Sequence, residues 1–346
     1  MLAAFFWFQG SCVIKGRACW DGRGCLSKRG IFMSAELAVS ALSMVLPVLV
    51  MVCIGRFLAK NKIISKDGIE GIRTVIGEVT LPVVLFNAFF TAEYNRRMLL
   101  VFVMVYAGFC IALLFGYATR RFVKPYGRFM PFLLTGAEGG MLGYSLFALL
   151  AGAERTSVFA IVDIGQTVFA YTVYLSCLRI ADGQKASAGA VFHDVVTNKA
   201  CLGMLSGIVL GAAGVGKAVL SSAAAPVVTE LIGFITAPTA ALILIIVGYE
   251  FELSGELIRP VAKTVVLRLS IMAVLFIAVG TALTVLTGFD RELLMALALI
   301  YSLPAPFIIP LFADVEEDGA YISTTLSVQT LVMILLFIPL AVISRM

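Results

Sequence analysis

Four glycines and a carboxylate interrupt an otherwise apolar stretch at Thr135-Gly136-Ala137-Glu138-Gly139-Gly140-Met141-Leu142-Gly143-Tyr144-Ser145. Each glycine weakens a helix by about 1 kcal/mol, so the segment is expected to unwind around Glu138. Farther on, Tyr301-Ser302-Leu303-Pro304-Ala305-Pro306-Phe307-Ile308-Ile309-Pro310 brings three prolines into a second apolar stretch. They remove three backbone donors and break that helix as well. Unwound backbone survives at membrane depth only where it lines a cavity or is buried in protein. Paired interruptions therefore point to a binding site near the midplane, where free N–H groups at half-helix ends can meet an anionic group. The substrate-binding residues expected on this basis are Glu138, Gly139, Gly140, Gly143, Gln166, Pro304, Pro306 and Gln329. Small-residue packing between helices would use the same glycines.

A carboxylate in mid-membrane costs a few kcal/mol and is usually functional, which makes Glu138 a candidate to carry a proton. A Glu held permanently by a neighbouring helix is the alternative. Asp163 and Gln166 are three residues apart and share one face of a helix. Asp163 is the second proton-coupling candidate, or else a cap or a partner to a loop arginine. Gln166 and Gln329 could set two amides around a solute or simply join helices. Nothing else in the chain offers catalysis. The run Asp314, Glu316, Glu317, Asp318 reads as a solvated loop rather than a metal site, and His193 is a lone loop histidine. Cys53, Cys110, Cys177 and Cys201 lie in apolar runs without ligand-like spacing. No phosphate-binding, zinc-protease, serine-hydrolase or dinucleotide motif is placed where it would work. No enzyme activity, cofactor or metal is expected.

The elements that must hold these residues follow from composition. The chain has 346 residues, of which 61% are hydrophobic and 14% charged, against about 25% charged in a typical soluble protein. With a mean hydropathy of +1.03, more apolar surface is present than one soluble core can bury, and the excess must face lipid. The fold class is an all-α polytopic membrane protein, which excludes an ordinary soluble enzyme. Apolar segments fall at 37–58, 72–90, 99–119, 129–151, 157–178, 199–216, 227–249, 264–286, 292–312 and 321–343, numbered here as spans 1 to 10. Span 2 is the least apolar, with Arg73, Glu78 and Asn87, and Pro82 is expected to bend it. Arg56, Glu250, Glu252 and Glu256 sit near span ends and read as solvated or snorkelling.

Basic residues set the orientation. The loops after spans 1, 3, 5 and 7 hold 14 Lys and Arg, against 6 on the other side, so the odd-numbered loops are expected in the cytoplasm and both termini outside. The clustering of charge in short loops fits anionic lipid rather than nucleic acid. At an offset of 156, Leu46, Gly55 and Pro82 fall on Leu202, Gly211 and Pro238, and near 163 Gln166-Thr167 falls on Gln329-Thr330. Ten transmembrane helices therefore read as two inverted five-helix repeats, 34–181 and 182–346, with spans 4 and 9 as broken crossing helices. Residues 1–33 form an N-terminal extension unlike the rest, basic and Gly- and Cys-rich after a short apolar run, with Cys12, Cys19 and Cys25. Its charges follow the apolar run, unlike a secretory signal. Translation is expected to start at Met33.

Leu46-Pro47-Val48-Leu49 with Gly55-Arg56-Phe57-Leu58 in span 1, Leu81-Pro82-Val83-Val84-Leu85-Phe86 in span 2 and Gly140-Met141-Leu142-Gly143 in span 4 resemble the auxin efflux carrier family of permeases, over about 34–346. The resemblance implies broken helices crossing at spans 4 and 9. It also implies a scaffold of spans 1, 2, 6 and 7 that often dimerises, so that a homodimer is among the expected assemblies, and elevator-like movement of the remaining bundle. It implies organic anions as substrates. The chain departs from the family pattern at Glu138 and Ser145, where many members have Asn and Pro. A charge at Glu138 would repel an anion unless protonated. The short loop between spans 5 and 6 favours a bacterial-type permease. The expected function is a secondary active transporter in the plasma (cell inner) membrane for a small organic solute of the carboxylate class, proton-coupled and working by alternating access. The rivals are a sodium-coupled bile-acid-type carrier and a non-transporting membrane receptor or sensor.

Overall fold

The computed structural model describes residues 46–92, 94–181, 183, 189, 197–251, 254–307, 309 and 318–345. The N-terminal extension, Met33, His193, Glu252, Pro310, Asp314, Glu316 and Glu317 lie outside the described residues. Within them the chain is all helical, without a strand. Helix α1 covers 46–60. It is followed by α2 (Lys66–Phe90), α3 (Arg96–Val123), α4 (Met130–Leu134), α5 (Tyr144–Ala151) and α6 (Ala153–Ala181). The second half holds α7 (Lys199–Ala212), α8 (Val215–Leu220), α9 (Ala225–Tyr249), α10 (Gly255–Thr287), α11 (Arg291–Ser302) and α12 (Gly319–Arg345). Six of these, α2, α3, α6, α9, α10 and α12, are long and apolar enough to cross a membrane. The chain is a multi-pass membrane protein.

Local chemistry accounts for the ends. Ser65, Asn95, Asn198 and Asp290 each cap a helix, their side-chain oxygens accepting from the backbone N–H three residues on, at 3.0–3.1 Å. In α2 a π-turn at Ile76–Thr80 precedes Leu81-Pro82. A proline has no N–H to give the carbonyl four residues back, and the wider turn takes up the misfit. In α9 regular helix stops at Thr236 and resumes at Thr239, on either side of Ala237-Pro238. Span 6 is shorter than the apolar run suggested: α7 ends at Ala212, and Gly214, at φ +79°, turns the chain into α8.

Burial separates a centre from a periphery. Every residue of α4 is buried, as are Leu293 to Ser302 in α11. By contrast the first segment of α9, Ala225–Thr236, has no buried residue, and Phe234 is 85% exposed. Lipid is the environment that accepts such a helix. Between the two zones α7 lies hard against α2. A Cβ on Gly203, Gly207 or Gly211 would meet the carbonyl of Pro82, Phe86 or Phe89 respectively, so the bare glycine face is what permits the approach. On the other side, a Cβ on Gly55 of α1 would meet the Ile245 carbonyl of α9.

Candidate binding site

Span 4 is interrupted at the centre of the bundle, and the helix of span 9 stops there at Ser302. After α4 the backbone leaves the helix at Thr135, passes Gly136 at φ +72°, and re-enters through a π-turn at Gly139–Gly143 before α5. Only glycine takes a positive φ without strain. A Cβ at Gly136 would also stand 2.8 Å from Pro306 Cγ. After α11 the backbone is extended at Leu303, and residues 304–306 lie outside any helix. The two interruptions touch: the Glu138 N–H donates to the Pro304 carbonyl at 3.0 Å, and the Phe307 N–H donates to Glu138 Oε2 at 2.8 Å. Pro304 and Pro306 thus sit where the second break meets the first.

Breaking two helices inside a membrane leaves carbonyls without their helical donors, and each must be satisfied from elsewhere. Four side chains do this, among them Tyr174 on α6, whose hydroxyl donates to the Phe132 carbonyl at 3.2 Å. Gln166, on α6, donates to the Ala137 carbonyl at 2.5 Å. Gln329, on α12, donates to the Leu133 carbonyl at 2.8 Å and accepts from the Ala305 N–H at 2.8 Å. Arg268, on α10, is 3% exposed and donates to the carbonyls of Leu133 and Thr135, both at 3.3 Å, Gly136 at 2.6 Å and Leu303 at 2.8 Å. Its planar fork spans both breaks at once. The sequence reading missed Arg268. A signal was present: Arg268 lies inside span 8, farther from a span end than Arg56, Arg73 or Lys199.

Asp163 lies in the middle of α6, not near its end, and is 1% exposed. Its Oδ2 accepts from Thr167 Oγ1 at 3.1 Å, and the Tyr144 hydroxyl faces the same carboxylate. Gly139 gives Oδ1 its room, because a Cβ there would collide with it. A turn later, Gly143 likewise makes space for Phe159 and Leu303. Among the described residues no arginine pairs with Asp163, and its place inside α6 is not that of a cap.

A cavity of about 280 Å³ opens beside the crossing. Ala137, Glu138, Gly140, Asp163, Gln166 and Pro306 line its inner end. Its outer end reaches Arg73, Glu78, Lys199 and Glu250, of which Glu78, Lys199 and Glu250 are exposed. Arg73 and Glu250 form an ion pair between α2 and α9, so Glu250 is not simply solvated. Arg56 donates to the Phe251 carbonyl at 2.7 Å, which ties α1 to the same end of α9. Between the ends the lining is apolar, with Leu81, Leu85, Met204 and Val247. Of the residues expected to bind substrate, Glu138, Gly140, Gln166 and Pro306 line the cavity. Gly139, Gly143, Pro304 and Gln329 shape the crossing behind it. Among the described residues no cluster of His, Cys, Asp and Glu could hold a metal ion, and the four apolar-run cysteines are free thiols.

No curated protein matches the sequence at a significant level. A family model described as membrane transport protein matches residues 40–198, the stretch from α1 through both halves of span 4 and α6 to the cap of α7. Residues 40–198 are thereby identified as the membrane transport domain of the auxin efflux carrier family.

Proposed function

We propose that the protein is a secondary active transporter that moves a small organic solute by alternating access, with its solute site in the cavity beside the crossed breaks. One observation carries this reading. A cavity of about 280 Å³ ends on two buried carboxylates, Glu138 and Asp163, at a point where two broken helices cross inside an apolar bundle. Such carboxylates are costly in a membrane unless they exchange protons or bind something, so they couple the solute to a proton. The outer end of the cavity is formed by residues from the loops expected in the cytoplasm, namely Arg73, Lys199 and Glu250. This supports a site open to the cytoplasm, with both termini outside, in the plasma membrane.

The ten-helix inverted repeat belongs to the same proposal. Gly55 approaches the Ile245 carbonyl and Gly211 approaches that of Phe89, and both pairs of positions differ by 156. A two-fold relation between the halves produces such reciprocal contacts. The interruptions in α2 and α9 precede Pro82 and include Pro238, again 156 apart. The tightly packed α1, α2, α7 and α9 form the scaffold, whose exposed apolar face on α9 meets lipid or a second copy in a homodimer. The crossing with α6, α10 and α12 moves against it.

A carboxylate-bearing solute is the second reading, favoured by Lys199, whose ammonium makes no ion pair with the described residues at the cavity's outer end. The test uses the full chain in vesicles holding a pH-sensitive dye, challenged with a panel of small carboxylates, amines and amino acids. Solute counterflow accompanied by a dye response is the expected result. Flux that depends on sodium rather than on protons would favour a bile-acid-type carrier. Binding without counterflow would leave a receptor and overturn the transport reading.

A further inference from the structure

We infer that the protein carries a second site, away from the solute cavity: a seat for one anionic phospholipid, with its phosphate among Arg120, Arg121, Lys124 and Arg128 and its acyl chain along α3. The first observation is a cleft of about 850 Å³ between the end of α3, the loop to α4 and the end of α6. Those four cations line it, and among the described residues no carboxylate does. Arg120, Arg121 and Lys124 are exposed and make no ion pair with the described residues. Like charges gathered in one concavity repel one another, and an anion relieves them. The fold nevertheless holds them together. Helix α3 ends in a 3-10 turn at Arg120–Val123, which the buried Val123 anchors. The loop returns through Gly127, where a Cβ would stand 3.0 Å from the Arg120 carbonyl. Arg128 Nε donates to the Ala181 carbonyl at 3.0 Å and ties the loop to the end of α6, while the Arg120 guanidinium rests over the Tyr117 ring at 5.8 Å.

The second observation separates a lipid from a soluble phosphate. Leu99, Val103, Ala107, Ile111, Leu114 and Ala118 are all exposed and follow one another at steps of three or four, so they form one apolar stripe along α3. The next step of that stripe is Arg121, in the cleft itself. Ile180, 61% exposed, belongs to the cleft wall, and Phe122, 64% exposed, stands beside Arg121. In a bilayer such a stripe faces acyl chains, and basic pockets between helices at the membrane edge take lipid headgroups. A phospholipid uses both features with one molecule, its chain on the stripe and its phosphate at the stripe's end. A soluble phosphate would use the cations and leave the stripe idle. The cleft also joins α3 to α6, the helix that carries Asp163 and Gln166, so an occupant would clip those two helices together at one end. No residue lining the cleft lines the solute cavity, and the inference does not rest on the transport reading.

The experiment uses the full chain in a mild detergent, with phosphatidylglycerol, phosphatidylcholine of the same acyl chains and glycerol phosphate as probes. Native mass spectrometry counts retained lipid, and thermal unfolding reads stabilisation. One phosphatidylglycerol should be retained in preference to phosphatidylcholine and should raise the melting temperature, whereas glycerol phosphate should leave it unchanged. Equal retention of the two lipids would overturn the seat. Equal stabilisation by glycerol phosphate and phosphatidylglycerol would overturn the lipid and make a soluble phosphate the occupant. Arg121→Gln together with Lys124→Gln should weaken phosphatidylglycerol binding by about thirtyfold, each cation contributing about fivefold. Lys60→Gln together with Lys62→Gln removes the same charge from exposed positions after α1 and should change binding by less than about twofold. Equal losses in the two double variants would mean diffuse surface charge and would overturn the seat. All four positions are exposed, and the choice between lipids is read on the unaltered chain, so a poorly folded variant does not remove the test.

Discussion

The two breaks at the crossing are made from opposite materials. The span 4 break uses glycine, which keeps every N–H and every carbonyl but frees the backbone to turn, as Gly136 does at φ +72°. The span 9 break uses proline, which deletes donors outright at positions 304 and 306. Among the described residues it is nevertheless the glycine break whose carbonyls draw more side-chain donors. The carbonyls of Leu133, Thr135, Gly136 and Ala137 all take hydrogen bonds from side chains, whereas on the proline side the described side-chain donation is to Leu303. The donors for the first break come largely from the second half of the chain, through Arg268 and Gln329. A flexible break needs outside support, and a stiff one supplies its own shape.

The largest test of that contrast is Arg268→Leu. It removes donors from four buried carbonyls, three of them on the glycine break, and should destabilise the protein by roughly 3 kcal/mol or more. Thermal unfolding in detergent reads it, and Arg268→Lys should recover only a fraction of the loss, since a single ammonium cannot reach both breaks. Next comes Gly136→Ala, expected to cost about 1–3 kcal/mol for the positive φ alone, with the Pro306 contact added. An equivalent Pro306→Ala should be milder, and an equal loss would erase the distinction between the materials. Gln329→Leu should cost about 1–3 kcal/mol because it strands the Ala305 N–H and leaves the Leu133 carbonyl only the longer bond from Arg268, while Gln166→Leu takes the side-chain donor from the Ala137 carbonyl alone and should cost less. Smallest is Arg155→Ala, which opens an ion pair with Glu292 at an exposed helix end and should change stability by less than about 0.5 kcal/mol. The reciprocal glycine contacts sharpen the comparison of the halves: Gly55→Ala and Gly211→Ala should lower the melting temperature by similar amounts, and a large disparity would argue against a two-fold relation.

Much of this was legible in the residues. Hydropathy marked the six helices long and apolar enough to cross a membrane, and the same glycines and prolines that lower helix propensity marked where α4 and α11 stop before any contact was known. Glu138, Asp163, Gln166 and Gln329 were found because polar atoms are rare in apolar runs. What stayed hidden was division of labour. The sequence offers no way to see that Gln329 has both ends of its amide engaged by backbone, or that Glu138 reaches the Phe307 N–H, because those partners are 24 and 169 residues away. Arg268 escaped for a different reason: an arginine near the start of an apolar run looks like a snorkelling residue, and only its burial shows that it points inward. The shortness of span 6 was also hidden, since Gly214 reads as one more small residue in an apolar stretch until its φ is known.

The hydrogen bond from the Glu138 N–H to the Pro304 carbonyl has a consequence for how such a carrier can change its diet. It joins main chain to main chain and is blind to what either residue carries beyond its backbone. The rivet that fastens the two crossing chains is thus independent of the side chains that greet the cargo. Substitutions along the lining can redraw what fits and what is refused while the fastening stays in place, so selectivity and architecture are free to vary separately at the same point in space.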